Sequence, residues 1–210
     1  MKTFKALGAL LAYPTQELIE ALPDLYAAIV EDALVPRPQR DELKPLLHWM
    51  SGQDLLDLEE QYVELFDRGR ATSLHLFEHV HGESRDRGQA MVDLKQLYQS
   101  AGLQLAPHEL PDFLPAILEY LSFRPLPEVN DMIGDFAHIL RSVGAQLRKR
   151  RSGYAAVLAA VLAAAGEAQF DEASAQPVAE KSMDEEWAEE PVIFGPAAAP
   201  ACGKPTTPLR

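Results

Sequence analysis

One cysteine, Cys202, in 210 residues can form no internal disulfide and supplies too few thiols for a Cys-rich metal site. The expected setting is a reduced cytoplasm. Positive charge is also scarce: 19 lysines and arginines face 32 aspartates and glutamates, a formal charge of −13. Such a chain repels a phosphate backbone, which argues against nucleic acid as a partner. Long apolar runs are missing too. The block "YAAVLAAVLAAAG", Tyr154 to Gly166, falls well short of the roughly 20 residues needed to cross a bilayer and reads as a buried helix. At the start, "MKTFKALGALLAYPTQELIE" sets two lysines before an apolar run in the manner of a secretory leader. That run stops at Pro14 without a cleavage pattern and turns acidic, so a first helix is expected instead. No sustained Val/Ile/Thr alternation marks a strand, and no fixed-period repeat marks a solenoid. There is neither a phosphate-cradling glycine loop nor a G-x-S-x-G elbow, so enzyme function is without support.

What remains is helical periodicity, from the first residues to about Gly166. In "DLLDLEEQYVELFDRG", Leu55, Leu58, Tyr62, Leu65 and Phe66 recur at steps of three and four, while Asp57, Glu60 and Glu64 fall mainly on the other side. In "NDMIGDFAHILRSVGAQLRKRR", Ile133, Phe136, Ala137, Leu140 and Leu147 share a face. The basic run Arg148 to Arg151 then closes that helix and reads as capping of the dipole and solvation. Prolines and glycines such as Pro14, Pro36, Pro38, Gly52, Gly69, Gly102, Pro125 and Gly153 separate segments of helical length. Pro23, Pro45, Pro111 and Pro115 are expected in first turns or at kinks. The expectation is an all-α single-domain bundle of about seven to nine helices over residues 1–166. Residues 167–210 are expected to form a mobile tail, acidic and then rich in proline and alanine. Within it, Trp187, Val192, Ile193 and Phe194 form either a short docking segment or a chance apolar patch. A chain ending near Gly166 is expected to keep its fold.

The stretch "HLFEHVHGESRDRG", His75 to Gly88, gathers three histidines, two glutamates and two arginines. Its first five residues spell H-x-x-E-H, a zinc-peptidase spacing, and on a helix His75 and His79 share one face with Glu78 beside them as a base. A catalytic zinc also needs a third ligand and a rigid cleft. Gly82 ends the segment early, His81 falls on the opposite side, and Glu119 and Glu128 stand in no partner motif. A zinc-dependent hydrolase is therefore the alternative reading, not the leading one.

Read as one block, "YVELFDRGRATSLHLFEHVHGESRDRGQAM", Tyr62 to Met91, resembles the signature region of the NarJ-type chaperones that assemble respiratory nitrate reductase. The likeness continues through "ELPDFLPAILEYLSF", Glu109 to Phe123. The wider group of redox-enzyme maturation chaperones, with the TorD and DmsD types, resembles it in a Tyr-x-x-Leu-Phe segment, here Tyr62, Leu65 and Phe66. An acid-and-histidine motif follows, matched approximately by Glu78, His79 and His81, with "EHVHG" where other branches carry an aspartate before the histidine.

The resemblance implies a cytoplasmic, all-helical chaperone with no cofactor and no catalytic residue. It would bind the N-terminal segment of the apo nitrate reductase alpha subunit, keep it competent for molybdenum cofactor insertion and membrane assembly, and leave the finished enzyme. Contact with molybdenum cofactor delivery proteins is left open. On this view Tyr62, Leu65 and Phe66 belong to the peptide-binding region, His75, Phe77, Glu78, His79 and His81 form a wall of it, and Asp67, Arg70, Glu83 and Arg87 form its rim. The competing account puts Leu65, Phe66 and Phe77 in the core and has Asp67, Arg70, Glu83 and Arg87 hold the turn by local ion pairs, and Leu65 and Phe66 are assigned to the core. Histidines in such a wall would make binding pH dependent.

Overall fold

The computed structural model describes residues 1–81, 85–107 and 109–171, without the side chains of His81 and Arg85. Glu83, the His81 ring and the whole 172–210 segment, with Trp187 to Phe194, lie outside the described residues. Among those described, the helices are α1 (Lys2–Leu11), α2 (Gln16–Asp32), α3 (Arg37–Gly52), α4 (Leu55–Phe66), α5 (Leu76–His81), α6 (Arg85–Ser100), α7 (Leu114–Ser122), α8 (Leu126–Lys149) and α9 (Ala155–Ala164). A 3₁₀ turn, Arg70–Thr72, joins α4 to α5. The all-α expectation holds, and none of the described helices is long and apolar enough to cross a membrane.

Local chemistry sets the helix starts. The Thr15 hydroxyl accepts from the Leu18 amide at 3.2 Å, and the Asp54 carboxylate accepts from the Leu56 amide at 2.9 Å. Proline stands in the first turn of α3, α7 and α8, where no intrahelical partner is lost. Pro115 fits that expectation. Pro23 and Pro45 instead lie inside α2 and α3.

α9 is apolar on every side, so it can be stable only where every side is covered. Accordingly α1, α3 and α8 all pack on it. α1 also lies along α7, and the two approach closely at Gly8: a Cβ there would sit 3.1 Å from the Pro115 carbonyl oxygen.

α9 ends at Ala164, two residues before Gly166. Gly166 is left-handed (φ +73), and the Glu167 amide reaches back to the Leu162 carbonyl at 2.8 Å, the closing pattern a glycine favours. The packed body continues beyond it. Phe170 is buried, with its ring on the bare backbone of Gly144, where a Cβ would lie 2.3 Å from the ring. Arg148 covers the ring at 4.6 Å and donates to the Phe170 carbonyl at 2.9 Å, while Arg141 pairs with Glu167 at 3.3 Å.

This strap generates a stability prediction. A chain ending at Asp171 should unfold in urea with about 3–5 kcal/mol more stability than one ending at Gly166, the cost of deleting a buried phenylalanine. Gly144→Ala should destabilise the longer chain by expelling the ring, yet stabilise the chain ending at Gly166 by about 0.5–1 kcal/mol through helix propensity. Equal effects in both chains would refute the packing.

Candidate functional site

The histidine-rich stretch folds as a knot around one buried carboxylate. Asp112 is fully buried. One of its oxygens accepts from the Phe77 amide at 3.1 Å and the other meets His75 Nδ1 at 3.3 Å. The backbones lock beside it: the Leu76 amide donates to the Asp112 carbonyl at 3.1 Å, and the Leu114 amide to the Leu74 carbonyl at 2.9 Å. The Tyr98 hydroxyl donates to the Pro111 carbonyl at 2.7 Å, and burial pushes its phenol far above the usual range. His79 Nε2 meets the Ser73 carbonyl at 2.9 Å, which makes it the protonated nitrogen of the neutral ring. Arg70 donates to the Glu78 carbonyl at 2.8 Å, and Arg87 pairs with the Glu78 carboxylate at 3.5 Å.

His75 therefore does not share a helical face with His79. It precedes α5 in an extended bridge to Phe113. Both imidazoles have protein partners, and among the described residues no three His, Cys, Asp or Glu side chains group to hold a metal. The donor set of the H-x-x-E-H reading does not fit zinc.

A groove of about 830 Å³ opens elsewhere, between α3, α4 and the α8–α9 turn. Pro45, Leu46 and Trp49 come from α3, Gln61, Glu64 and Leu65 from α4, and Arg150, Arg151, Ser152 and Gly153 from the turn. Its floor is tight: a Cβ at Gly153 would meet Leu46 at 3.1 Å. Its α4 wall carries one acid, Glu64, which is exposed and makes no ion pair among the described residues.

The groove and the knot meet at the 3₁₀ turn. The Thr72 hydroxyl donates to the Leu65 carbonyl and accepts from Arg150 at 3.4 Å. The residues singled out by sequence thus divide. Tyr62 and Phe66 are buried in an aromatic cluster with Tyr154, the Tyr62 hydroxyl donating to the Leu11 carbonyl at 2.9 Å. Phe77 is buried near Phe136. His75, Glu78, His79, Arg70 and Arg87 belong to the knot, while Asp67 caps α4, exposed, with its amide on the Val63 carbonyl. Leu65, assigned to the core, is only half-buried and lines the groove. Sequence reasoning missed Asp112, Trp49 and the groove role of Arg150 and Arg151. The basic run is not uniform capping, since Arg148 serves the strap and Arg150 and Arg151 turn to the groove.

The two histidines should titrate on opposite sides of their ordinary value. The hydrogen bond to Asp112 raises the His75 pKa above 6.5 against the opposing effect of burial. Burial lowers that of His79 below 6.5, with the Ser73 carbonyl opposing. NMR titration of the ring protons reads both midpoints directly, and the reverse order would refute the geometry. The His75 pair contributes stability fully below pH 6.5 and loses it as pH rises through the raised pKa. Asp112→Asn should therefore lower His75's midpoint and cost about 1.5–3 kcal/mol in urea unfolding at low pH, with that component shrinking on the alkaline side. His79 carries the opposite sign: its buried neutral form contributes above pH 6.5, and the contribution falls as pH drops through the lowered pKa.

Comparison with known proteins places these features in a family. The family model described as "Nitrate reductase delta subunit" matches residues 32–160, which span α3 to most of α9. The nitrate reductase molybdenum cofactor assembly chaperone NarJ of Escherichia coli K12 is 43% identical over 192 residues, covering 88% of this chain and 81% of that protein. In structure, a protein from Archaeoglobus fulgidus described as a redox enzyme maturation protein superposes with a TM-score of 0.55 at 20% identity, over 77% of this chain and 91% of its own, and so shares the fold. The chain belongs to the nitrate reductase delta subunit family, a family of maturation chaperones and not of catalytic enzymes.

Proposed function

We propose that this chain is a cytoplasmic assembly chaperone for respiratory nitrate reductase. It binds the N-terminal segment of the apo catalytic alpha subunit, holds that subunit competent for molybdenum cofactor insertion and membrane assembly, and is not retained in the finished enzyme. The observation that carries this reading is the groove. Trp49 and Leu65 are half-buried apolar side chains on its walls, the type of anchor that supplies most of the affinity in a peptide interface. Glu64 beside them, without an ion pair among the described residues, suits an amphipathic segment with a basic face, laid in as a helix or an extended strand. The overall charge of −13 speeds the encounter with such a segment.

Tyr62, Phe66 and the knot of His75, Phe77, Glu78, His79 and Asp112 support this surface from beneath. They fix the 3₁₀ turn whose Thr72 holds Leu65 and Arg150. Arg87, on α6, extends the same support through its pair with Glu78.

A synthetic peptide matching the start of the alpha subunit, titrated against the Trp49 fluorescence of a Trp187→Phe chain, tests the reading. Saturable binding is expected, weakening as salt rises from about 0.05 to 0.5 M. Leu65→Asp and Trp49→Ala should each weaken binding by about 2 kcal/mol, roughly thirtyfold, with unchanged helical circular dichroism. Val92→Asp, an exposed change on α6, should leave it as it was. Unaltered affinity in both groove variants would move the site elsewhere, and absence of binding to the unmodified chain would end the proposal.

A further inference from the structure

α8 and α9 close in the same backbone pattern, but with different residues at the critical position. At the end of α9 the Glu167 amide bonds to the Leu162 carbonyl at 2.8 Å and the Gly166 amide to the Ala163 carbonyl at 3.1 Å. At the end of α8 the Ser152 amide bonds to the Leu147 carbonyl at 2.9 Å and the Arg151 amide to the Arg148 carbonyl at 2.8 Å. The pattern needs a left-handed residue, and glycine adopts that conformation without the steric penalty of a Cβ. Gly166 provides it after α9 with φ +73, whereas after α8 the residue is Arg151 with φ +55.

The fold does not explain that arginine. Its neighbours in the basic run each have a structural partner or a solvated end position. Arg148 covers Phe170 and pairs with Glu42 at 3.5 Å, Lys149 is exposed on the last turn, and Arg150 reaches Thr72 at 3.4 Å. The Arg151 guanidinium makes no hydrogen bond and no ion pair among the described residues. Strain by itself carries nothing, since Ala33 is also left-handed, at φ +54 at the end of α2. What distinguishes Arg151 is its place. It is exposed, and it lines the groove that also holds Trp49, Leu65 and Glu64.

We propose that Arg151 is a specificity-determining residue of this groove, reading a carboxylate on the bound segment with its planar guanidinium. The inference rests on the groove being the client seat. It adds that the client carries an acidic side chain as well as the basic face that suits α4. A groove with Glu64 on one wall and, on another, an Arg151 unpaired among the described residues accepts a segment in the orientation that pairs both and rejects the reversed one, because reversal places like charges together. Arginine suits the task because its fork of donors matches a carboxylate in a way that lysine's single ammonium does not.

The test combines three variants with a peptide set in the full-length chain. The peptides are the alpha-subunit start sequence and versions in which each Asp or Glu is changed singly to Asn or Gln. Arg151→Gly should raise the melting temperature by about 2–4 °C, by removing a left-handed side-chain residue, while weakening the unmodified peptide about tenfold. Arg151→Gln should weaken it similarly without the thermal gain, and Arg151→Lys should recover only part of the affinity. One amide peptide should bind the unmodified chain about tenfold more weakly yet lose nothing further in Arg151→Gly, which locates the paired carboxylate. If Arg151 served only the α8 dipole, Lys would equal Arg in every measurement, and no peptide position would couple to it. That result overturns the inference and leaves the chaperone reading intact, as does a peptide that binds all three variants like the unmodified chain. An unmodified chain that binds none of the peptides overturns the reading beneath it.

Discussion

A buried carboxylate with no access to water has to find its partners within the protein, and Asp112 finds them on a segment thirty-seven residues away in sequence. Its two oxygens are shared between the His75 ring and the Phe77 amide, so the start of α5 is held against the start of α7. Losing either partner would leave a desolvated charge incompletely satisfied, an expensive state, and so the constraint is stiff. The paired amide–carbonyl bonds between residues 74–76 and 112–114 add direction to it. They turn a contact into a short extended clasp, the His75–Phe113 bridge, set among the described helices.

That clasp governs more than its own neighbourhood. The chain entering it has just left the 3₁₀ turn, where one hydroxyl, on Thr72, bonds to the backbone of Leu65 and receives Arg150. Leu65 and Arg150 belong to different walls of the groove. A buried hydroxyl thus ties the two walls of the groove together at that end. A site placed on helices and braced from below in this way is better suited to recognition than one carried on a free loop. The aromatic cluster of Tyr62, Phe66 and Tyr154 completes the bracing, because it fills the space between α4 and the start of α9 that would otherwise let the groove floor move.

Periodicity made most of the fold legible. The stripes on α4 and α8 announced their buried faces, and the unbroken apolar character of residues 154–166 announced a helix covered on all sides, because burial acts on every turn of a helix alike. The knot was legible only as a collection of side chains. The spacing of His75 and His79 fits a helical face, and nothing local shows that His75 is extended, since the reason is a bridge to Phe113. Asp112 stood within a quoted stretch without announcing its role, because an aspartate beside a proline reads equally well as a solvated turn. The groove was less visible still. Trp49, Leu65 and Arg151 come from three separate parts of the chain, and only the packing of α3 and α4 around α9 brings them to one surface. Phe170 fell on the far side of a composition change, where one aromatic among polar residues carries no periodic signal.

The acidity of the chain has two separable consequences. A net charge of −13 acts at range, raises the encounter rate with any basic segment, and is blunted by salt beyond about 10 Å, so it cannot choose among basic segments. Choice requires charges whose positions are fixed and whose partners are missing. Pairs such as Lys2 with Glu31, Lys5 with Glu119 and Arg124 with Glu128 fail that condition, because they satisfy each other. Exposed pairs of this kind contribute little to stability, yet they neutralise the face around them. Two charges at the groove meet the condition in opposite senses, Glu64 on the α4 wall and Arg151 after α8, neither of which makes an ion pair among the described residues. In the proposed role the chain holds one unfinished subunit and later releases it, so its affinity has to be moderate while its discrimination stays high. Unmatched charges at the edge of a modest apolar groove meet both requirements: each contributes little to a correctly oriented client and opposes a wrongly oriented one.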